Sequence, residues 1–442
     1  MKKGWIKTTI GVSLVTALAV GLPLMGCAPT AAPPEAPPEA PPEAPPEEVE
    51  PILVGACMPF TGPYASDGYS YFTGFSLAVE EINARGGLLG RPLEITEFDT
   101  YDLAPERIEE AANSFQREGV VMADGGWSGS GGDVRAFGKY DFIYFTGDAS
   151  EGTKSVMLED PEAYSNFFLF YDTEKAYSSE YFDAMVSLEP DFGYEYPNKD
   201  VAIIYADDDW GREIMIGLKE AVERQGGGWN VTMAEVVPYG TEEWGPILTK
   251  MRALDPVPGV LFVEIVSAPE VITLFRQFIA NPTNTLLHYC YSSSIPEFME
   301  IMGAEADGIM GSSGASLGYP PQNVAAKEFV DRFEQRWGHP PRSASPANYI
   351  AVMMWAEAVE AVGDVTDYAA IEDYLATQAF EIAGIPYQFA GGDSDRIAEL
   401  PYSAWTQVQI QNGEWVTLYW QFERYTDYQG KQYEFIVPPW IK

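Results

Sequence analysis

Residues 52–99 constrain the fold of this chain more than any other stretch. They open with a short apolar run, Ile52-Leu53-Val54-Gly55, which reads as a buried strand. A small, turn-rich loop follows, Pro59-Phe60-Thr61-Gly62-Pro63-Tyr64-Ala65-Ser66-Asp67-Gly68. Phe72, Phe75, Val79 and Ile82 then stand 3, 4 and 3 positions apart, which puts them on one face of a helix. Gly86-Gly87 stops that helix where a left-handed residue is wanted, and Leu93 and Ile95 alternate as a second strand. Strand, loop, helix and strand make a βαβ unit, and such units build parallel sheets. Ligands of parallel sheets collect at the carboxyl ends of the strands, so the loop from Pro59 to Gly68, with Tyr64 in its middle, is a candidate binding surface.

The same alternation continues downstream. Val120–Ala123, Phe142–Phe145, Val201–Tyr205, Val260–Val263 and Leu286–Tyr289 read as buried strands, and 106–118 and 271–280 read as helices between them. Later helices are expected near 323–337 and 347–362, where helical spacing reads as core packing. Asn412-Gly413 between Thr406–Ile410 and Trp415–Tyr419 signals a hairpin. The tail from Arg424 to Lys442 shows no usable period. About 390 residues follow residue 50, which suggests two domains.

The start of the chain carries an address. Lys2, Lys3 and Lys7 precede an apolar run from Ile10 to Leu24 that closes on Met25-Gly26-Cys27, the pattern of an export signal. Gly11, Ser13, Thr16, Gly21 and Pro23 interrupt the run, which argues against a permanent span. A Pro-Pro-Glu-Ala repeat then runs from Pro33 to Pro46. Such a segment cannot bury a core and extends as polyproline II at roughly 3.1 Å per residue, a spacer.

Charge narrows the function. The formal net charge is −40, so a phosphate-binding face, and with it nucleic-acid binding, is excluded. The three cysteines are Cys27, Cys57 and Cys290, and the last two read as buried thiols in different lobes. His288 and His339 are the only histidines, with no HExxH or CxxC, so neither a zinc hydrolase nor a Ser-His-Asp enzyme is indicated. Asp207-Asp208-Asp209 lacks the alternation and terminal Glu of an EF-hand. The glycine-rich Asp124–Asp133 stretch is not a dinucleotide fingerprint and no Walker lysine follows it; no cofactor is expected.

The wording of the opening unit is more specific than its pattern. Thr61-Gly62, Gly68, Gly74, Leu77-Ala78-Val79-Glu80-Glu81-Ile82-Asn83-Ala84-Arg85-Gly86-Gly87, Gly90-Arg91-Pro92-Leu93 and Asp99 resemble the start of the Leu/Ile/Val-type solute-binding proteins of ABC uptake systems. The resemblance continues more thinly over residues 51–425. It implies an α/β fold of two Rossmann-like lobes with parallel sheets joined by a three-strand hinge, the periplasmic binding protein type 1 arrangement. Residues 51–171 with 317–387 would form lobe 1, and 172–316 with 388–442 lobe 2. Cys27 resembles a lipobox cysteine, despite an unusual Met25, which makes 1–26 a signal peptide and 27–50 an anchor and linker.

The resemblance also implies site residues. Trp127 and Ser128 fall where the family holds a ligand carboxylate, and Asp148, Ala149 and Ser150 where a strand end meets an amino acid. Trp210 takes the place of an aromatic that covers the solute, with Glu264, Ser267 and Tyr291 on the same wall. A glycine turn at 125–132, an N-cap at Asp148 and a core role for Trp210 remain open alternatives. Two departures stand out: Asp148 replaces a small neutral residue, and no carboxylate lies near Tyr291 to meet an ammonium. Asp148 or Glu264 would supply that charge, or the ligand lacks an ammonium. The implied partners are a small solute and an ABC permease with its ATPase. Contact with the membrane would be through the lipid alone, at the outer face of the cytoplasmic membrane, with the chain a monomer and not an enzyme. A ligand sensor is the alternative within this fold. An exported hydrolase pairing Asp148 with Glu264 is the alternative outside it, and needs carboxylates roughly 5–9.5 Å apart.

Overall fold

The computed structural model describes residues 49–126, 131–147, 150–170, 173–290, 296–313, 321, 323–341, 345–389, 396–397, 406–420 and 423–442. Cys27 and the Pro/Glu repeat lie outside them.

The first half alternates β1 (Ile52–Met58), α1 (Ala65–Ala84), β2 (Leu93–Asp99), α2 (Pro105–Glu118), β3 (Met122–Gly125), α3 (Gly132–Phe137), β4 (Ile143–Thr146), α4 (Glu151–Glu159) and β5 (Phe167–Leu169). The five strands form one parallel sheet in the order β2-β1-β3-β4-β5. The apolar runs of β1, β3, β4 and β5 are buried on both faces, as helices on both sides require, while the edge strand β2 buries only Leu93. The order reverses between β1 and β3, and that switch point opens a crevice beyond the strands' carboxyl ends. Helix α1 turns Phe75, Ala78, Val79 and Ile82 inward, each large side chain contributing about 1.5–3 kcal/mol of burial.

The second unit runs α5 (Glu174–Phe192), β6 (Asp200–Ala206), α6 (Asp209–Gln225), β7 (Asn230–Val237), α7 (Gly245–Arg252), β8 (Val260–Glu264), α8 (Ala268–Ile279), β9 (Leu286–Tyr289), α9 (Pro296–Met302) and β10 (Met310–Ser313). The chain then contributes α10 (Val324–Trp337), α11 (Ser345–Val362), α12 (Tyr368–Thr377) and the hairpin β11 (Ala379–Ile382) and β12 (Ile385–Gln388) to the core of the first sheet. Here α11 crosses α1 so closely that a Cβ at Gly74 would stand 1.7 Å from the Ser345 carbonyl oxygen. Finally β13 (Thr406–Gln411), β14 (Glu414–Trp420) and β15 (Glu423–Arg424) complete the second sheet, whose order is β15-β14-β13-β10-β9-β8-β6-β7. Its strands from β7 to β10 are parallel and β13 joins antiparallel. The chain therefore passes between the two cores three times, after β5, after β10 and after β12. The fold is α/β with two lobes, as expected.

Several details differ from the sequence reading. Strand β3 starts two residues late and includes Asp124 and Gly125, and α8 starts at Ala268, so Glu270 is helical rather than in a loop. Arg396 and Ile397, read as part of the second lobe, lie along β5: Leu169 N donates to the Arg396 carbonyl at 3.0 Å. The aperiodic tail is anchored, with Trp440 against Phe275 and Phe278 and its indole N–H on the Thr285 carbonyl at 2.9 Å. The hairpin turn is as read, with φ of 56° at Asn412 and 75° at Gly413. Cys57 and Cys290 form no disulfide; both are buried, in different cores.

His288 is structural. Its Nε2 lies 3.1 Å from the Ser312 hydroxyl, which donates to Gln407 Oε1 at 3.2 Å, so the three pin β9, β10 and β13 together. Burial pushes the imidazole down to about 3, against a hydrogen bond with Gln407, and the ring is neutral.

Candidate functional site

The first sheet offers the loops after β1, β3 and β4. At the end of β2, Asp99 accepts from Thr61 N at 3.2 Å, from the Thr61 hydroxyl and from Tyr101 N at 3.0 Å. Partial burial opposes ionisation, but these bonds prevail and hold the carboxylate below its ordinary range. The β1–α1 loop is thus braced by β2. Tyr64 stands at the amino end of α1, where its carbonyl accepts from Asp67 N and Gly68 N at 3.0 Å. After β3, a Cβ at Gly126 would stand 2.1 Å from the Tyr71 ring, so only glycine lets the loop lie on that ring. Trp127 and Ser128 follow it, Asp148 and Ala149 follow β4, and Tyr291 follows β9; all five lie outside the described residues. Ser150 is described and caps α4: its hydroxyl accepts from Thr153 N at 3.0 Å and donates to Thr153 Oγ1 at 2.9 Å.

The second sheet offers the loops after β6 and β8, its own switch point. Asp208 caps α6, accepting from Gly211 N at 2.6 Å and from the Tyr239 hydroxyl. Asp207 and Asp209 both hold Arg212, with 3.0 Å between Arg212 Nη1 and Asp209 Oδ1. The three aspartates are therefore committed to the start of α6. Trp210 is half-buried against the α5–β6 core, its indole near enough to the Tyr177 hydroxyl to ease that group's ionisation. Ser267 stands at the amino end of α8 without capping it, and among the described residues its hydroxyl has no hydrogen-bond partner.

Glu264 is the last residue of β8 and is fully buried. Its side chain shares a face with Phe262, beneath Tyr177 and Tyr181 of α5 and beside Cys290. Neither carboxyl oxygen meets a donor in hydrogen-bond geometry, and the Cys290 thiol is the one neighbour that favours the charge. Burial outweighs that help and pushes the acid up to about 8. The thiol also lies 3.5 Å from the Tyr181 hydroxyl. Asp124, at the end of β3, is the closest counterpart in the first lobe, but one of its oxygens accepts from Asn348 at 2.8 Å.

The two rims meet. Glu151 N, at the start of α4, donates to Glu174 Oε2, at the start of α5, at 2.7 Å. Tyr64 of the first lobe is near enough to Tyr239 of the second to disfavour its phenolate. Among the expected site residues that are described, Trp210 and Glu264 share Tyr177 as a neighbour, Ser267 lies past the end of the same strand as Glu264, and Tyr64 of the other lobe lies near Tyr239. Tyr177 and Tyr181 were not foreseen. Their spacing with Met185 and Leu188 is an ordinary core stripe, and only the fold sets the stripe's first two members over an acid.

These are the parts of a two-lobed binding protein, and the comparisons agree. The sequence profile described as periplasmic binding protein matches residues 51–413. The chain belongs to that family. It is 24% identical to Leu/Ile/Val-binding protein homolog 7 of Brucella melitensis, over 91% of this chain and 95% of the relative. Among solved structures it superposes on a putative branched-chain amino acid ABC transporter protein from Silicibacter pomeroyi with a TM-score of 0.77, at 24% identity, over 88% of this chain and 100% of that one. A solute-binding protein from R. palustris in complex with benzoate gives 0.67 at 17% identity, over 86% and 99% of the two chains. Family members are extracytoplasmic solute-binding proteins rather than enzymes. Among the described residues no helix is long and apolar enough to cross a membrane.

Proposed function

We propose that this chain is the solute receptor of an ABC uptake system, an exported lipoprotein held by Cys27 on the outer face of the cytoplasmic membrane. It captures one small amino-acid-like solute between its lobes and presents it to the permease and ATPase. It does no chemistry on the solute. Lobe 1 supplies Tyr64, Trp127, Ser128, Asp148, Ala149 and Ser150, and lobe 2 supplies Trp210, Glu264, Ser267 and Tyr291. The lobes comprise 51–171 with 317–387, and 172–316 with 388–442, the short 396–397 segment lying against lobe 1. Closure is favoured because only the closed form lets both walls touch the solute.

The observation that carries this reading is that the two lobes meet, Tyr64 of the β1–α1 loop near Tyr239 and the start of α4 on the start of α5, across a chain that crosses three times. A free Ser267 hydroxyl at a helix amino end and a half-buried Trp210 support a polar and an aromatic contact there. The branched-chain and amino-acid relatives favour an amino acid as cargo. The benzoate complex keeps aromatic acids in view.

The test is a thermal-shift screen of the protein against amino acids, amides, aromatic acids and amines. A solute at a hundred times its dissociation constant adds about 2.7 kcal/mol, a readily seen rise in melting temperature. Trp210→Ala should weaken the best hit at least tenfold while leaving the ligand-free melt close to wild type. No shift with any class would refute the receptor reading.

A further inference from the structure

The tail from Tyr425 to Lys442 lies beyond residue 413, where the match to the family ends, yet it is built into the fold at both of its ends. Its far end is mounted on the second lobe. The side-chain amide of Gln409, fully buried in β13, takes both backbone groups of Ile436: it donates to the carbonyl at 2.8 Å and accepts from the N–H at 2.9 Å. Gln411 donates to the Glu434 carbonyl at 2.7 Å. Two glutamines thus do for the tail what the backbone of a neighbouring strand would do. Pro438 lies on Gly308, where a Cβ would stand 2.7 Å from the Pro438 Cα, and Trp440 sits on Phe275 and Phe278.

The near end of the tail reaches the crossings between the lobes. Strand β14 already spans them: Leu418 and Tyr419 belong to a second-lobe core, while Trp420 packs on the first-lobe core. The chain then turns back, Tyr425 N donating to the Leu418 carbonyl at 3.1 Å. Tyr425 is buried, and its hydroxyl donates to the Pro321 carbonyl at 2.7 Å. Pro321 stands in the second crossing, just ahead of Asn323, whose side chain caps α10 by accepting from Ala326 N at 2.8 Å. The loop after Tyr425 is closed on itself, since Asp427 Oδ1 accepts from Gln429 N at 2.9 Å and from Lys431 N at 2.8 Å. The Tyr425–Pro321 bond therefore ties a firmly mounted part of the second lobe to the foot of a first-lobe helix. A hydrogen bond tolerates little change of length or angle, so rotation at the second crossing breaks it.

We propose that the tail is a brace across the hinge, with Tyr425 a positioning residue. Its bond holds the lobes in the arrangement where Tyr64 lies near Tyr239 and resists their parting. A contact made in only one of two states shifts the balance toward that state by what the contact is worth. The brace rests on the two-lobed fold and not on which solute binds.

The test reads the separation of the lobes in the full chain carrying Cys27→Ala, with no solute present. Spin labels go on through Ser66→Cys and Glu242→Cys, exposed positions close in sequence to Tyr64 and Tyr239, while Cys57 and Cys290 are buried and escape the label. Tyr425→Phe keeps the ring and removes only the hydroxyl. By pulsed electron paramagnetic resonance, well below the melting temperature, it should lengthen the main label-to-label distance by about 2 Å or more. Tyr140→Phe is the matched control: it takes a hydroxyl from Asn113 Oδ1, 2.7 Å away, wholly inside the first lobe, and should leave the distance as in wild type. An unchanged distance in Tyr425→Phe overturns the brace, and so does an equal lengthening in Tyr140→Phe. The receptor reading stands in either case, because no solute enters the measurement.

Discussion

Replacing Glu264 by Gln should make the ligand-free protein more stable, and increasingly so as the pH rises. The acid's pKa is raised by burial, from 4.5 in the unfolded chain to about 8 in the folded protein. Between those values the unfolded chain gives up the proton and the folded protein keeps it. Stability therefore falls by about 1.4 kcal/mol per pH unit from this group alone, reaching a loss on the order of 4 kcal/mol by pH 8. Below pH 4.5 both states are protonated and the loss vanishes. Glutamine keeps the shape and a comparable unmet polar group, so the variant should match wild type near pH 4.5 and exceed it by about 4 kcal/mol at pH 8. Tyr177 and Tyr181 are pushed well above the usual tyrosine range by burial and stay neutral throughout. His288 is neutral in the fold of both proteins and drops out of the difference. Urea unfolding at pH 5, 6.5 and 8, analysed as the difference between variant and wild type, measures the effect. A difference that changes by less than about 1 kcal/mol across that range would show that Glu264 ionises freely in the fold, refuting its burial without a partner.

Two other perturbations probe different links. Gly74→Ala puts a methyl 1.7 Å from the Ser345 carbonyl and must push α1 away from α11, at a cost of about 3 kcal/mol or more; an unchanged denaturation midpoint would contradict that packing. Cys27→Ala in the full chain should move the protein from the membrane fraction to the soluble exported fraction, and persistent membrane association would refute the lipid anchor.

Much of the architecture was legible because it is local. The spacing of Phe75, Val79 and Ile82 fixes α1, Asn412-Gly413 fixes the β13–β14 turn, and short apolar runs separated by helices imply parallel sheets, since parallel strands need such crossovers. Local signals also misplaced edges: Asp124 and Gly125 look like turn residues, yet β1 and β4 on either side hold them in the ladder. The lone bridge of Ile397 to Leu169 and the seat of Trp440 on Phe275 have no repeat to announce them.

By itself the sequence determined the class of chain: α/β units of alternating strands and helices, whose opening words belong to the periplasmic binding protein family. Those properties depend on neighbours within a few turns, where period and composition are decisive. Only the tertiary structure decided which polar side chains were spoken for. Ser150, Asp207, Asp208 and Asp209 looked like ligand-facing or cation-facing groups, and the fold spends them on helix caps and on Arg212. Glu264 read as a cleft-facing carboxylate, and the fold buries it fully, with neither carboxyl oxygen in hydrogen-bond geometry with a donor. Whether an acid is paired, capped or stranded depends on residues far away in the chain, which the sheet order and the three crossings bring to its side.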